Sequence, residues 1–162
     1  MAATNQRSLT LDNGLRIALF QPDIAGNTGT ILRMAACLGL AVDIIEPAGF
    51  DLSGRALKRA GMDYLEMAAL TRHLDFVTFQ EWRLREGRRL VLLSTKATTP
   101  YSAFAFARRD ILLFGRESAG VPDSVHQAVD ARLTIPMQPG TRSINVALSV
   151  AMVAGEAIRQ LG

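Results

Sequence analysis

The stretch Ile135-Pro136-Met137-Gln138-Pro139-Gly140-Thr141-Arg142-Ser143-Ile144-Asn145 joins an apolar segment, Leu133-Thr134-Ile135, to a long and almost charge-free pattern over residues 146–158. The first reads as a buried strand and the second as a buried helix. A polar loop punctuated by proline and glycine between two such elements is where an α/β protein usually holds a ligand. Two loops of the same kind lie upstream, at residues 26–33 and 115–122. Three of them in one short chain predict a single site assembled from distant segments.

Working outward, residues 15–20 (Leu-Arg-Ile-Ala-Leu-Phe) and 41–45 (Ala-Val-Asp-Ile-Ile) predict strands. Between them Ile31, Leu32, Met34, Ala35 and Leu38 recur with helical period, predicting a helix over 28–38 that Gly39 closes. Residues 90–93 and 111–114 are continuous apolar runs, the mark of strands buried on both faces. A short basic helix is expected over 54–61, a strand over 64–70, a helix over 78–85, a last strand over 133–135 and a last helix over 143–160. Strands alternating with helices argue an α/β fold, a parallel sheet flanked by helices. No linker or repeat interrupts the chain. The expectation is one domain over residues 15–162, preceded by a flexible polar lead-in over 1–14.

The 162 residues fit one domain, and 49% hydrophobic with 20% charged residues is a globular composition. No apolar run approaches the roughly 18 residues of a membrane span. The polar start lacks the apolar centre of a signal peptide, so a cytoplasmic protein is expected. Cys37 is the single cysteine, which excludes an intramolecular disulfide; its apolar setting predicts a buried, inert thiol. His73 and His126 lie in polar surroundings without ligand-like spacing, so no metal site is expected. The net charge is +3, and 16 of the 18 basic residues are arginine. Arg55, Lys58 and Arg59, then Arg72, Arg83, Arg85, Arg88 and Arg89, fit either a solvated surface or a nucleic-acid footprint.

Each loop carries chemistry of its own. In the first, Asn27 or Thr28 suits a helix cap, and Arg33 projects back toward the helix N-terminus, where free N–H groups favour an anion. In the second, Gly115 at a strand end permits close ligand approach, and Glu117 suits either a hydroxyl ligand or an arginine partner. In the third, Asn145 suits the cap of the last helix. Dinucleotide, P-loop and nucleophile-elbow signatures are absent. The residues by themselves thus lead to a shared site for a nucleotide-like or anionic ligand.

Taken in order, Asn27-Thr28-Gly29-Thr30-Ile31-Leu32-Arg33, Phe114-Gly115-Arg116-Glu117-Ser118-Ala119-Gly120-Val121-Pro122, and Ile135-Pro136-Met137 with Ser143-Ile144-Asn145 resemble the three motifs of the SpoU-type 2′-O-ribose methyltransferases of the SPOUT class. Ile44-Ile45-Glu46-Pro47-Ala48-Gly49-Phe50 and Leu57-Lys58-Arg59-Ala60-Gly61-Met62-Asp63-Tyr64 look like the minimal TrmL-type subgroup, which methylates the wobble ribose of certain tRNAs. The resemblance covers residues 15–162. It implies a deep C-terminal trefoil knot, an exception to the usual rule, with S-adenosylmethionine held among three loops, and a homodimer.

On that resemblance Leu93, Ser94, Thr95, Gly115, Glu117, Gly120, Ile135, Met137 and Ser143 bind the cofactor, and Arg33, Asn27, Glu117, Ser143 and Asn145 are the catalytic set. Arg55, Lys58, Arg59 and Arg142 are then the expected RNA contacts. Arginine is essentially always protonated, so the Arg33 position suits a phosphate clamp better than a general base. Three positions depart from the pattern: Ala25-Gly26 before Asn27, Arg116 in place of a frequent proline, and Gly155 where related chains often carry tyrosine. A different tRNA or ribosomal RNA target, and a non-catalytic RNA-binding protein on the same fold, are the competing readings.

Overall fold

The structure, a computed structural model, describes residues 14–52 and 69–162. Six strands form one sheet: β1 (Arg16–Phe20), β2 (Ala41–Ile45), β3 (Ala69–His73), β4 (Leu90–Leu93), β5 (Ile111–Phe114) and β6 (Ala131–Leu133). Their order is β3-β2-β1-β5-β4-β6, and every pairing is parallel. The helices are α1 (Ala25–Leu38), α2 (Phe76–Arg85), α3 (Asp123–Ala128) and α4 (Val146–Leu161). A short 3₁₀ turn spans Tyr101–Ala103.

Alternation along each strand divides the core in two. Ile17, Leu19, Val42, Ile44, Val91, Leu112 and Phe114 share one cluster with Ile31, Leu32 and Ala35 of α1 and Val150, Val153, Ala154 and Ala157 of α4. Ala18, Phe20, Ile45, Leu90, Leu92, Ile111 and Leu113 share the other with Phe79 of α2 and Val125 of α3. With both faces covered, the central strands are apolar throughout, which is why they read as unbroken runs.

Several boundaries move. The first helix begins at Ala25 rather than 28, so Asn27 and Thr28 sit in its first turn and Ile24 occupies the cap position. Gly39 ends it in the left-handed conformation, φ 70°, as expected. Of the strand expected over 64–70, residues 64–68 lie outside the described residues and 69–70 open β3 (Ala69–His73), while the one expected over 133–135 is β6 at Ala131–Leu133. Thr134 bridges instead to Pro100, which draws the chain away from β4. The lead-in over 1–13 and the basic helix over 54–61 lie outside the described residues.

Two expectations about single residues are corrected. Cys37 is exposed, because it falls on the solvent side of α1. His73 is buried: its Nε2 lies 2.8 Å from Asp43 Oδ1, and its ring packs against Phe79 and Trp82. Asp43 is wholly buried, and Arg16 grips both its oxygens from Nε and Nη2 at 2.8 and 2.9 Å. A buried carboxylate persists only when its lone pairs are matched in this way.

The arginine-rich stretch also changes meaning. Arg83 is buried and binds Asp130 and Gln80, while Arg89 pairs with buried Asp110 through two nitrogens. Arg88 donates to the Gly14 carbonyl. These cations brace the edge of the sheet from which the strands start.

Asp43→Ala leaves Arg16 and His73 facing an apolar gap. We expect it to cost about 3–5 kcal/mol, read as a lowered urea midpoint at unchanged slope; an unaltered midpoint would show the network to be dispensable.

Candidate active site

At the C-terminal ends of β4, β5 and β6 the chain encloses a cleft of about 440 Å³. In a parallel sheet this is the end where loops converge on ligands. All nine residues expected to hold a cofactor line it: Leu93, Ser94, Thr95, Gly115, Glu117, Gly120, Ile135, Met137 and Ser143. Asn27 and Asn145 line it as well. Arg33 does not; it is exposed on α1, outside the lining. Arg142 is exposed on the third loop and is likewise outside the lining, while Arg55, Lys58 and Arg59 lie beyond the described residues.

Asn145 joins two of the three loops. Its Oδ1 accepts from the backbone N–H groups of Ala147 and Leu148, capping α4, and its Nδ2 donates to Asn27 Oδ1 at 3.0 Å. A cap satisfies donors that would otherwise be orphaned at the helix start. One amide therefore fixes the entry of α4 and ties it to the first turn of α1. The N-termini of both helices meet the cleft there, bringing two partial positive charges to its wall.

The second loop is a tight clasp. Arg116 and Gly120 exchange backbone hydrogen bonds of 3.0 and 2.8 Å, and Gly120 holds φ at +65°. A Cβ on Gly115 would lie 2.6 Å from the Gly120 carbonyl carbon, so only glycine fits there. Glu117 faces the segment before α1. Its Oε2 accepts from the Asp23 N–H at 3.0 Å, linking the second loop to the segment before α1. Ser118 Oγ donates to Asp23 Oδ2, and Arg116 Nε stands 3.8 Å from the same oxygen.

The two carboxyls polarise one another. Burial first, then the Asp23 carboxyl beside it, holds the Glu117 carboxyl above its usual range. Hydrogen bonds from Glu117 and Ser118, followed by the Arg116 charge, hold Asp23 below its own. Of the pair, Glu117 is thus the weaker acid and Asp23 the stronger.

Sequence reading missed Asp23, Lys96, His126 and Ser149. Ser149 lies one helical turn beyond Asn145, a spacing that could have exposed it, and Lys96 follows the expected strand directly. His126 lines the cleft from α3. Among the described residues no group of three or more His, Cys, Asp or Glu could hold a metal ion. No helix among them is long and apolar enough to cross a membrane.

Comparison with known proteins places this geometry. A family model described as the SpoU rRNA Methylase family matches residues 14–155. A tRNA (cytidine(34)-2′-O)-methyltransferase from Beijerinckia indica subsp. indica is 60% identical over 146 residues, covering 90% of this chain and 91% of the relative. One of the same name from Escherichia coli strain K12 is 43% identical over 150 residues, covering 91% and 94%. A solved structure concerned with 2-OH methylation of C/U34 on tRNA superposes with a TM-score of 0.86 at 41% identity, covering 91% of this chain and 95% of that one. An AdoMet-bound rRNA methyltransferase from Sinorhizobium meliloti superposes at 0.83 with 25% identity, covering 91% and 57%.

The stability that Glu117 contributes in its protonated form is present below the ordinary carboxylate value of 4.5 and is lost as the pH rises through its raised value. Glu117→Gln keeps the shape without the ionisation. Its melting temperature is expected to gain on the parent's as the pH goes from about 4 to about 8; a constant difference would show that Glu117 titrates normally.

Proposed function

The chain belongs to the SpoU rRNA methylase family, and on that premise we propose that it transfers a methyl group from S-adenosylmethionine to the ribose 2′-hydroxyl of the wobble nucleotide, position 34, of tRNA. The observation that carries the reading is the convergence of all three motifs on one cleft at the strand ends. Near-complete coverage of relatives that bear this one activity in their names supports the target position.

The cleft fits the cofactor. Its wall is apolar at Leu92, Leu93, Phe114, Ile135 and Met137, and polar at Ser94, Thr95 and Ser143. That mixture suits a nucleoside with a charged tail. Bound there, the sulfonium supplies an already activated methyl group, so the protein's task is alignment and charge stabilisation.

Gly115 lets the backbone come close to the ligand, and the Glu117–Asp23 link holds that loop in place. The Asn145–Asn27 pair sets the edge past which the hydroxyl approaches. Arg33, exposed on α1 beyond that edge, is the residue we assign to the RNA phosphate and the developing alkoxide. Arg142 on the third loop, with Arg55, Lys58 and Arg59, extends the contact along the RNA. Phosphate contacts of this kind position a strand without reading its sequence.

Three further parts belong to the same reading. The C-terminal segment is threaded as a trefoil knot; in support, β6 is an edge strand beyond β4, yet the chain returns across the sheet for α4 to pack on α1 and β5. The protein is a homodimer, since Leu148, Ala151, Met152 and Gly155 form an exposed apolar stripe on α4 beside exposed Ile24. It works as a single domain in the cytoplasm, where tRNA is processed.

Mass-spectrometric mapping of ribose methylation in tRNA from cells with and without the gene tests the reading. Methylation at position 34 should disappear with the gene, and an unchanged position 34 would overturn the assignment. In purified protein, Arg33→Ala should keep cofactor binding and lose turnover by at least about a hundredfold. Gly115→Ala should weaken S-adenosylmethionine binding at least about tenfold, measured by calorimetry.

A further inference from the structure

A second cavity of about 440 Å³ runs along the edge strand β6, and its wall includes Lys96, Thr98, Thr99, Phe104, His126 and Arg132. Lys96 and His126 line the first cleft too, so the two spaces adjoin. No carboxylate lines the second. Arg132 is held in place: its Nε donates to the His126 carbonyl at 2.6 Å, which sets the plane of the guanidinium and leaves both Nη atoms without a partner among the described residues. The Lys96 ammonium has no ion pair or hydrogen bond among the described residues. His126 Nε2 is buried and unpartnered. Arg83 and Arg89 are paired with acids; Lys96 and Arg132 have no acid partner among the described residues.

A buried polar nitrogen without a partner is costly unless a ligand completes it. A fixed guanidinium with free donors, an ammonium and two threonine hydroxyls together match the oxygens of a phosphate. We propose that this cavity is a phosphate subsite for the RNA strand, taking a backbone phosphate near the nucleotide whose ribose enters the adjoining cleft. The proposal rests on the RNA-methylating reading above and adds to it Lys96 and Arg132 as further contacts. The adjoining cofactor cleft favours a strand phosphate over a free one, because the target ribose must enter that cleft with its own phosphates attached.

Direct tRNA binding to the full chain and to Arg132→Gln and Lys96→Gln, across a salt series from about 50 to about 300 mM, reads the subsite. Each variant should bind tRNA about three- to tenfold more weakly at intermediate salt, with the slope of log K against log salt reduced by about one contact. Arg132→Gln should leave S-adenosylmethionine affinity unchanged by calorimetry. Unchanged tRNA affinity and slope in both variants would overturn the proposal and leave Arg132 as a charge that guards an edge strand from pairing. Loss of S-adenosylmethionine affinity with intact tRNA binding would assign the cavity to the cofactor's carboxylate end instead, and loss of inorganic phosphate binding alone would assign it to a free anion; both overturn it. Because the Lys96 side chain has no partner among the described residues, Lys96→Gln remains decisive should Arg132→Gln fold poorly. Binding read in this way is separate from the methylation map: a position 34 unchanged by loss of the gene, with the slope change present, would sink the wobble assignment and leave the subsite standing.

Discussion

Burial of the parallel sheet on both faces is the constraint from which the rest follows. β1, β5 and β4 have no side that can face water, so α1 and α4 must cover one face and α2 and α3 the other. Such a sandwich leaves polar chemistry only at the strand ends. The starting end is closed by the Arg89–Asp110 and Arg83–Asp130 pairs, and the Arg16–Asp43–His73 network lies within the layer under α2. The other end stays open, and there the three loops meet.

What keeps that open end shaped is a small number of polar links between segments far apart in sequence. Asn145 reaches Asn27 across 118 residues, and Glu117 reaches the Asp23 backbone across 94. Each link has a partly structural purpose, one capping a helix and the other closing a loop. The same side chains nevertheless line the cleft or touch one that does. The structural and the functional reading of Asn145 are therefore one arrangement: a cap whose remaining amide hydrogens point at the first motif.

The carboxyl pair shows how burial and charge divide the work. Two carboxylates side by side repel, and the less buried one, surrounded by Ser118 and Arg116, keeps the charge. Glu117, deeper in the wall, is the weaker acid of the two.

The sequence by itself determined the alternation of elements, the parallel sheet and the three loops that share one site, because these depend on local period and on loops at strand ends. Unbroken runs such as Leu90 to Leu93 read as strands buried on both faces, and Gly115 at a strand end as a point of close ligand approach. The resemblance of the motifs supplied the identity of the ligand, which periodicity alone does not carry. Only the tertiary structure decided who touches whom. Helix starts moved by up to three residues, since a chain can begin a helix without a side-chain cap when its neighbours support it, as at Ile24. His73 and Arg83 look solvated in sequence and are buried in fact, because their partners Asp43 and Asp130 lie 30 and 47 residues away. Asp23 and His126 were invisible for the same reason. Their environment consists of segments that meet only when the sheet is built, and a long-range contact has no local period to betray it.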